Sequence, residues 1–410
     1  MNIKFVLCLT FCVLTYSLSY SKDLSEIEYD AVHKNDSWSQ NQLGIAYENG
    51  SGVEKNLKMA FSWFQKAAAN NNKYACFNLA RYYHYGLSVN KDIHKAISMY
   101  EKAASLYNPH ASLLLGKWYL KGENVHKNHA KAAKYFKDAA FGGLPEGKYY
   151  FGYCYAYGHG VEQDSIKSLI WLNRALNDKF YTAYYLLGKM YKDGICVNVN
   201  KDKAFEMFQE GDYHNDEKSS YYLAFCHLDG IGISPDTIRA VNQFISCAHN
   251  GTKAAMISLG NIYSSDKFKF KDLKFAAEWY EKAAKLNDEY SFNKLLNVYK
   301  DLNDDKSLYD ISKRGYNLKF KLCMRSLSLC YAKGTSIDVN YKKSLELIDD
   351  AIKVFPDDPL LYDTKGEILW LKGNKKEAKK MWEYVLSNYP VFYKENESFL
   401  NKMMLSQNKF

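Results

Sequence analysis

Leu43-Gly44-Ile45-Ala46-Tyr47 comes back as Leu79-Ala80-Arg81-Tyr82-Tyr83, as Leu115-Gly116-Lys117-Trp118-Tyr119 and as Leu187-Gly188-Lys189-Met190-Tyr191. Related strings stand at 151–155, 223–227, 259–263 and 295–299, and each step between the column's small residues is 36 residues. That column reads Gly44, Ala80, Gly116, Gly152, Gly188, Ala224, Gly260, and Leu296 breaks it. A second column, Gly50, Gly86, Gly122, Gly158, Gly194 and Gly230, keeps the same step. A third runs Ala60, Ala96, Ala132, Ser168, Ala204, Ala240 and Ala276. Three columns in phase define a repeat, and a period of this length is the mark of a solenoid.

Each unit reads as two helices. Gln40, Leu43, Gly44 and Tyr47 recur at i, i+3, i+4 and i+7, the spacing of an apolar helix face. A glycine inside that helix costs up to about 1 kcal/mol relative to alanine, so its return must come from close approach of a partner helix. Gly50 falls where a helix C-cap needs a left-handed residue. A second helix from Leu57 to Asn70 buries Ala60, Phe64 and Ala67. One such hairpin cannot cover its own apolar face, so neighbours must stack. The expected fold is all-α: a right-handed α-solenoid of stacked antiparallel helix pairs.

Composition agrees. Of 410 residues, 47% are apolar and 25% charged, which excludes wholesale disorder and a polytopic membrane protein. Six prolines and 23 glycines argue against a turn-rich all-β chain. Lys+Arg 55 against Asp+Glu 46 leaves +9, scattered along the chain, where nucleic-acid binding would need a basic face or stripe. The anomaly is aromatic content, 16% with 36 tyrosines.

The N-terminus reads as a secretory signal peptide over 1–19. Met1 to Lys4 carries one positive charge, Phe5 to Leu14 is apolar apart from Thr10, and Ser17-Leu18-Ser19 offers small residues for a cut after Ser19. The apolar run is shorter than the ~20 residues of a spanning helix. The expectation is therefore an exported mature chain (periplasmic, extracellular or in a secretory pathway) with no membrane span after cleavage. Of nine cysteines, seven remain once Cys8 and Cys12 leave, with no Cys-x-x-Cys among them. Cys323 and Cys330, seven apart on one helix, lie ~10.5 Å apart along its axis and cannot bridge. Buried free thiols are the expectation, and one disulfide between neighbouring repeats stays open in an oxidising compartment.

The residues quoted above resemble the Sel1-like repeat family, a branch of the tetratricopeptide-like helical repeats. The resemblance is carried by Leu43-Gly44-x-x-Tyr47, Gly50-x-Gly52-Val53 and Ala60-x-x-Trp63-Phe64-x-Lys66-Ala67-Ala68, with Ala276-x-x-Trp279-Tyr280-x-Lys282-Ala283-Ala284 a clear later copy. It spans roughly 37–356. The organisation expected is an N-terminal cap over 20–36, seven repeats over 37–288, two degenerate repeats over 289–356, a standard tetratricopeptide-type unit over 357–390 and a capping helix over 391–410. The unit at 289–319 lacks the loop glycines, and Leu327 to Tyr331 follows after 32 residues in place of 36. Gly366, Gly373, Ala378, Trp382 and Pro390 carry the tetratricopeptide offsets.

Chemical motifs dissolve into the repeat. Gly50-x-Gly52, Gly158-x-Gly160 and Gly230-x-Gly232 lack the third glycine and the following Lys-Ser/Thr of a phosphate loop. His126 and His129 lack a third ligand for zinc and read as solvated loop histidines. No nucleophile elbow or local triad is present. No catalytic, cofactor or metal residue is therefore expected. Some cysteine-rich members of the family have been linked to β-lactam binding or hydrolysis, but their regular cysteine pair is absent here.

What remains is surface. The stripe beside the core stripe of the first helices is expected to line the concave side, as in tetratricopeptide arrays. Its middle repeats place Phe77, Tyr149, Tyr153, Tyr185, Tyr221 and Phe225 beside Arg81, Lys117 and Lys189. Aromatics with Arg and few acids have the composition of an interaction surface; the plain alternative is that the rings pack between adjacent first helices and stiffen the array. The resemblance implies adaptor or assembly roles, so the expected function is a non-catalytic scaffold for a protein or peptide partner. A glycan or cell-wall ligand stacked on tyrosines is the alternative, and a β-lactam or cell-wall hydrolase the remote one.

Overall fold

The computed structural model describes residues 23–395, with 22 α-helices and no strand among them. The expected signal segment and most of the expected C-terminal cap lie outside the described residues. The chain divides into two compact bodies, one closing at Pro235 and the other opening at Asp236.

The first body holds α1 (Leu24–His33), α2 (Ser37–Asn49), α3 (Leu57–Ala69), α4 (Lys73–Tyr85), α5 (Ile93–Ser105), α6 (Pro109–Lys121), α7 (His129–Phe141), α8 (Pro145–Tyr157), α9 (Ser165–Asn177), α10 (Thr182–Asp193), α11 (Lys201–Tyr213) and α12 (Glu217–Asp229). From α2 onward the even helices are the first and the odd helices the second members of antiparallel hairpins. Each first helix ends at a glycine of the loop column; Gly50 takes φ 77°, and its N–H donates to the Ala46 carbonyl. That left-handed conformation costs an L-residue roughly 1–2 kcal/mol, which accounts for the column.

The second helices start at a further column. Asn56, Asp92, Asn128, Asp164 and Asn200 accept from backbone N–H groups two or three residues on, capping α3, α5, α7, α9 and α11. Each such cap is worth about 1 kcal/mol. The cap residues of α4 and α6 also stitch units together. Asn72 caps α4 through Oδ1 while its Nδ2 donates to the Ser37 carbonyl at 3.1 Å. Asn108 repeats the arrangement one unit later, donating to the Lys73 carbonyl at 3.1 Å.

The core lies between helices of a hairpin and between hairpins. Ala60, Phe64, Ala67, Ala96, Tyr100, Ala132 and Phe136 are all within 1% of full burial and belong to one apolar cluster. The small column of the first helices meets these rings. A Cβ on Gly44 would lie 2.6 Å from Phe64, and on Gly116 2.6 Å from Phe136. Helix α1 packs on the first hairpin, with Leu24, Ile27 and Ala31 against Leu43, Tyr47 and Trp63.

The second body continues the pattern with α13 (Thr237–His249), α14 (Lys253–Ser264), α15 (Leu273–Ala284), α16 (Glu289–Asp301), α17 (Asp305–Asn317), α18 (Lys321–Lys333), α19 (Tyr341–Val354), α20 (Pro359–Leu371), α21 (Lys375–Asn388) and α22 (Pro390–Glu395). Helices α16 and α17 are joined by three residues, which explains the missing loop glycines and the shortened step. In the last hairpin Gly366 approaches Trp382, whose Nε1 donates to the Asp363 carbonyl at 3.3 Å.

Candidate partner-binding surface

The nine residues expected to face a partner lie on first helices α4, α6, α8, α10 and α12 of the first body. Phe77, Tyr153, Tyr185, Tyr221 and Phe225 are half-buried, while Tyr149 is enclosed with 6% of its surface exposed. Tyr149 packs on Phe180 of the following loop at 5.3 Å between ring centroids, and burial pushes its hydroxyl pKa well up. Phe77 meets Tyr100 at 5.4 Å and His110 of the next unit at 6.2 Å. Tyr153 leans on Tyr157 at 4.6 Å, and Tyr221 meets Phe225 edge-on at 5.2 Å. Tyr185 reaches Tyr222 of the next first helix at 5.2 Å, with Lys218 Nζ 5.4 Å over its ring.

The three cations are each placed by a carboxylate. Arg81 Nη2 lies 3.3 Å from Glu48 Oε1, a pair shielded to 16% and 15% side-chain exposure. Lys117 reaches Glu146 at 2.7 Å and sits 5.4 Å over the Tyr150 ring. Lys189 pairs with Asp193 at 3.5 Å within α10. Arg81 and Lys117 thereby tie adjacent first helices together. Part of the stripe is used for stacking, with Tyr149 giving no free ring.

Other chemistry is sparse. Seven of the nine cysteines lie among the described residues, and there they are thiols: six are buried and Cys196 is half-buried. His126 is exposed, but His129 is not a solvated loop residue: its ring packs on His159 of the next unit at 4.2 Å. Among the described residues no group of three or more His, Cys, Asp and Glu is placed to hold a metal ion. Nor is any helix there long and apolar enough to cross a membrane.

The repeat can now be set against known proteins. A family profile described as Sel1 repeat matches residues 39–72, 73–108, 109–140, 145–178, 182–211, 218–242, 253–288 and 321–349. The chain belongs to the Sel1 repeat family. The matches leave out 289–320, where the loop glycines are missing. Among solved structures, a Sel1 repeat protein from Oxalobacter formigenes is similar with TM-score 0.53 and 26% identity, over 68% of this chain and 83% of that one. Two curated proteins of Saccharomyces cerevisiae are similar over shorter stretches. Protein SHC1 is 33% identical over 82 residues, 20% of this chain and 16% of that protein. The chitin synthase regulator SKT5 is 32% identical over 92 residues, 22% of this chain and 13% of its own length. The Sel1 chain therefore spans under a fifth of either curated relative. Sel1 and tetratricopeptide-like arrays are commonly protein-interaction scaffolds, and the hairpin stack described above is of that kind.

Proposed function

We propose that this Sel1 protein is an exported, non-catalytic scaffold that holds a protein or peptide partner along the first-helix face between Phe77 and Phe225. The observation that carries the reading is a set of half-exposed rings, Phe77, Tyr153, Tyr185, Tyr221 and Phe225, on the first helices α4, α8, α10 and α12 of one stack. Rings held by their neighbours lose little freedom on binding, which favours them as anchors. The nearby cations are positioned before a partner arrives, Arg81 by Glu48 and Lys117 by Glu146. Export rests on the segment 1–19. A partial relative named as a chitin synthase regulator fits a module that works through protein contacts.

The test is cross-linking and affinity capture with Tyr185→Ala/Tyr221→Ala/Phe225→Ala, leaving the enclosed Tyr149 in place. Partner recovery is expected to fall sharply while the helical circular dichroism is retained. Undiminished recovery by a folded variant rejects this face, and retention on immobilised glycans that the variant loses moves the reading to a carbohydrate ligand. Fractionation with N-terminal sequencing tests export; a mature chain starting at Tyr20 outside the cytoplasm is the expected result.

A further inference from the structure

The second helices carry a surface that the first-helix face does not account for. Helices α7 and α9 run side by side over α8 and leave an open groove of about 600 Å³. Its floor is aromatic: Phe151 packs against Tyr155 at 5.0 Å and Trp171 at 5.1 Å, and Phe141 meets Trp171 edge-on at 5.5 Å. Phe141 is 69% and Ile170 44% exposed. Its walls are cationic. Arg174 lies 4.6 Å over the Trp171 ring and Lys137 5.9 Å over Phe141. Lys167 is neutralised by Asp164 at 2.9 Å, but among the described residues no carboxylate lies within salt-bridge distance of Lys134, Lys137 or Arg174.

The chain contains its own control. Two units earlier the corresponding groove is lined by Gln65, Ala69, Ser98, Met99 and Lys102. There Lys102 is occupied, its Nζ donating to the Ala68 carbonyl at 2.9 Å. Ser62, Gln65 and Ala69 stand where Lys134, Lys137 and Phe141 stand, and the hairpins stack equally well. Other units put Ser98 with Glu101, Glu206 with Gln209 and Glu278 with Glu281 at the two lysine positions. Stacking therefore does not require the lysine pair or the exposed phenylalanine. Unpaired cations beside exposed rings call for an occupant with both negative charge and an apolar group.

We propose that the groove between α7 and α9 is a second docking site, for an acidic peptide segment of a partner protein that carries an aromatic or aliphatic anchor. The carboxylates meet Lys134, Lys137 and Arg174, and the anchor lies against Phe141 and Trp171. A glycan is disfavoured because no carboxylate or carboxamide lines the groove to hold sugar hydroxyls. The site shares no residue with the first-helix face, so each stands or falls separately.

The experiment pans a displayed random-peptide library against the full chain and against Lys134→Ser/Lys137→Gln/Phe141→Ala. That variant carries the side chains of the first unit, a set this fold already stacks. Enriched peptides are expected to cluster Asp and Glu around Trp, Phe or Leu. Their affinity should fall roughly tenfold or more in the variant and weaken with added salt. They should bind Tyr185→Ala/Tyr221→Ala/Phe225→Ala unchanged. Arg174→Gln, on the opposite wall, should reduce binding several-fold and serves if the triple variant misfolds. Enrichment of neutral or basic peptides, or none that depends on these side chains, overturns the proposal. So does heparin or an anionic vesicle binding through Lys134 and Lys137 without competition from acidic peptides.

Discussion

A Cβ built on Gly188 would lie 2.5 Å from Cε1 of Phe208 and 2.7 Å from Cδ1, so the ring edge of the second helix rests directly on the backbone of the first. Gly260 stands in the same relation to Tyr280, at 2.5 Å. The pair defines the spacing inside a hairpin. Where the partner is Leu172, the nearest atom to the Cβ position of Gly152 is 3.0 Å away, a looser fit.

Gly188→Val is therefore expected to lower stability by about 1–3 kcal/mol through overpacking, read as a shifted urea midpoint. Phe208→Leu should restore part of that loss, since it recreates the Gly152–Leu172 geometry. A double-mutant cycle checks the coupling; additive losses would mean that Phe208 does not set the approach of the helices.

The second loop glycine acts between units. Gly160 has φ 76°, and a Cβ there would lie 2.1 Å from the His129 carbonyl oxygen, at the start of the preceding second helix. Gly143 has φ 87° and nothing within 4 Å of its Cβ position. Gly143→Ala is expected to cost about 1–2 kcal/mol from backbone strain alone. Gly160→Ala should cost clearly more, because strain and collision add. Equal thermal shifts for the two would show that the loop is free to move away.

These contacts explain why some features are plain in the sequence and others are not. The Gly44, Gly50 and Ala60 columns are visible because each position has one physical demand met by one or two residue types. The cap column of Asn56, Asp92, Asn128, Asp164 and Asn200 was equally regular and is the signal most easily missed, since Asn and Asp look like generic loop residues until the helix start is located. The left-handed position after the C-cap is harder. It holds Gly52, Ser88, Asn124, Gly160 and Cys196, and one backbone conformation is hidden under four residue types. Ser88 shows how the column varies: its hydroxyl donates to the Leu57 carbonyl at 3.1 Å, in the place where Gly160 meets His129. On the first-helix stripe, periodicity could not separate enclosed Tyr149 from half-exposed Tyr185, because the ring against Tyr149 is Phe180, at a loop position that holds Asn72, Asn108 and Asp216 in other units. The groove between α7 and α9 needs three helices side by side, and no single window of sequence contains them.

Thiol reactivity should follow burial. Burial pushes the thiols of Cys154, Cys226 and Cys323 up to about 12 and that of Cys330 up to about 11. Thiolate is the reactive species, so these cysteines are expected to resist iodoacetamide at neutral pH until the protein is denatured. Cys196 is half-buried and should be modified first among the seven described thiols. Peptide mass spectrometry after a short labelling pulse checks the order, and rapid native labelling of Cys154 or Cys323 would contradict the packing.

Histidines should set the acid side of stability above the carboxylate range. Burial lowers the pKa of His110, which packs on Phe77, below its ordinary value near 6.5. Burial and then Lys91 lower that of His84, whose Nδ1 is buried without a hydrogen-bond partner. Burial, His129 and Lys127 lower that of His159. In each case the folded value lies beneath the unfolded one, so the unfolded chain binds more protons as pH drops through about 6.5, and stability falls with pH there. Above about pH 7.5 all three are neutral in both states, and the effect vanishes. Thermal unfolding followed by circular dichroism from pH 8 to 5.5 should show a midpoint that is flat and then declines. His110→Gln should flatten the decline, and Lys127→Met should reduce the part due to His159. A midpoint that rises on acidification, or a decline untouched by either change, would mean these rings become charged in the folded chain as readily as in the unfolded one.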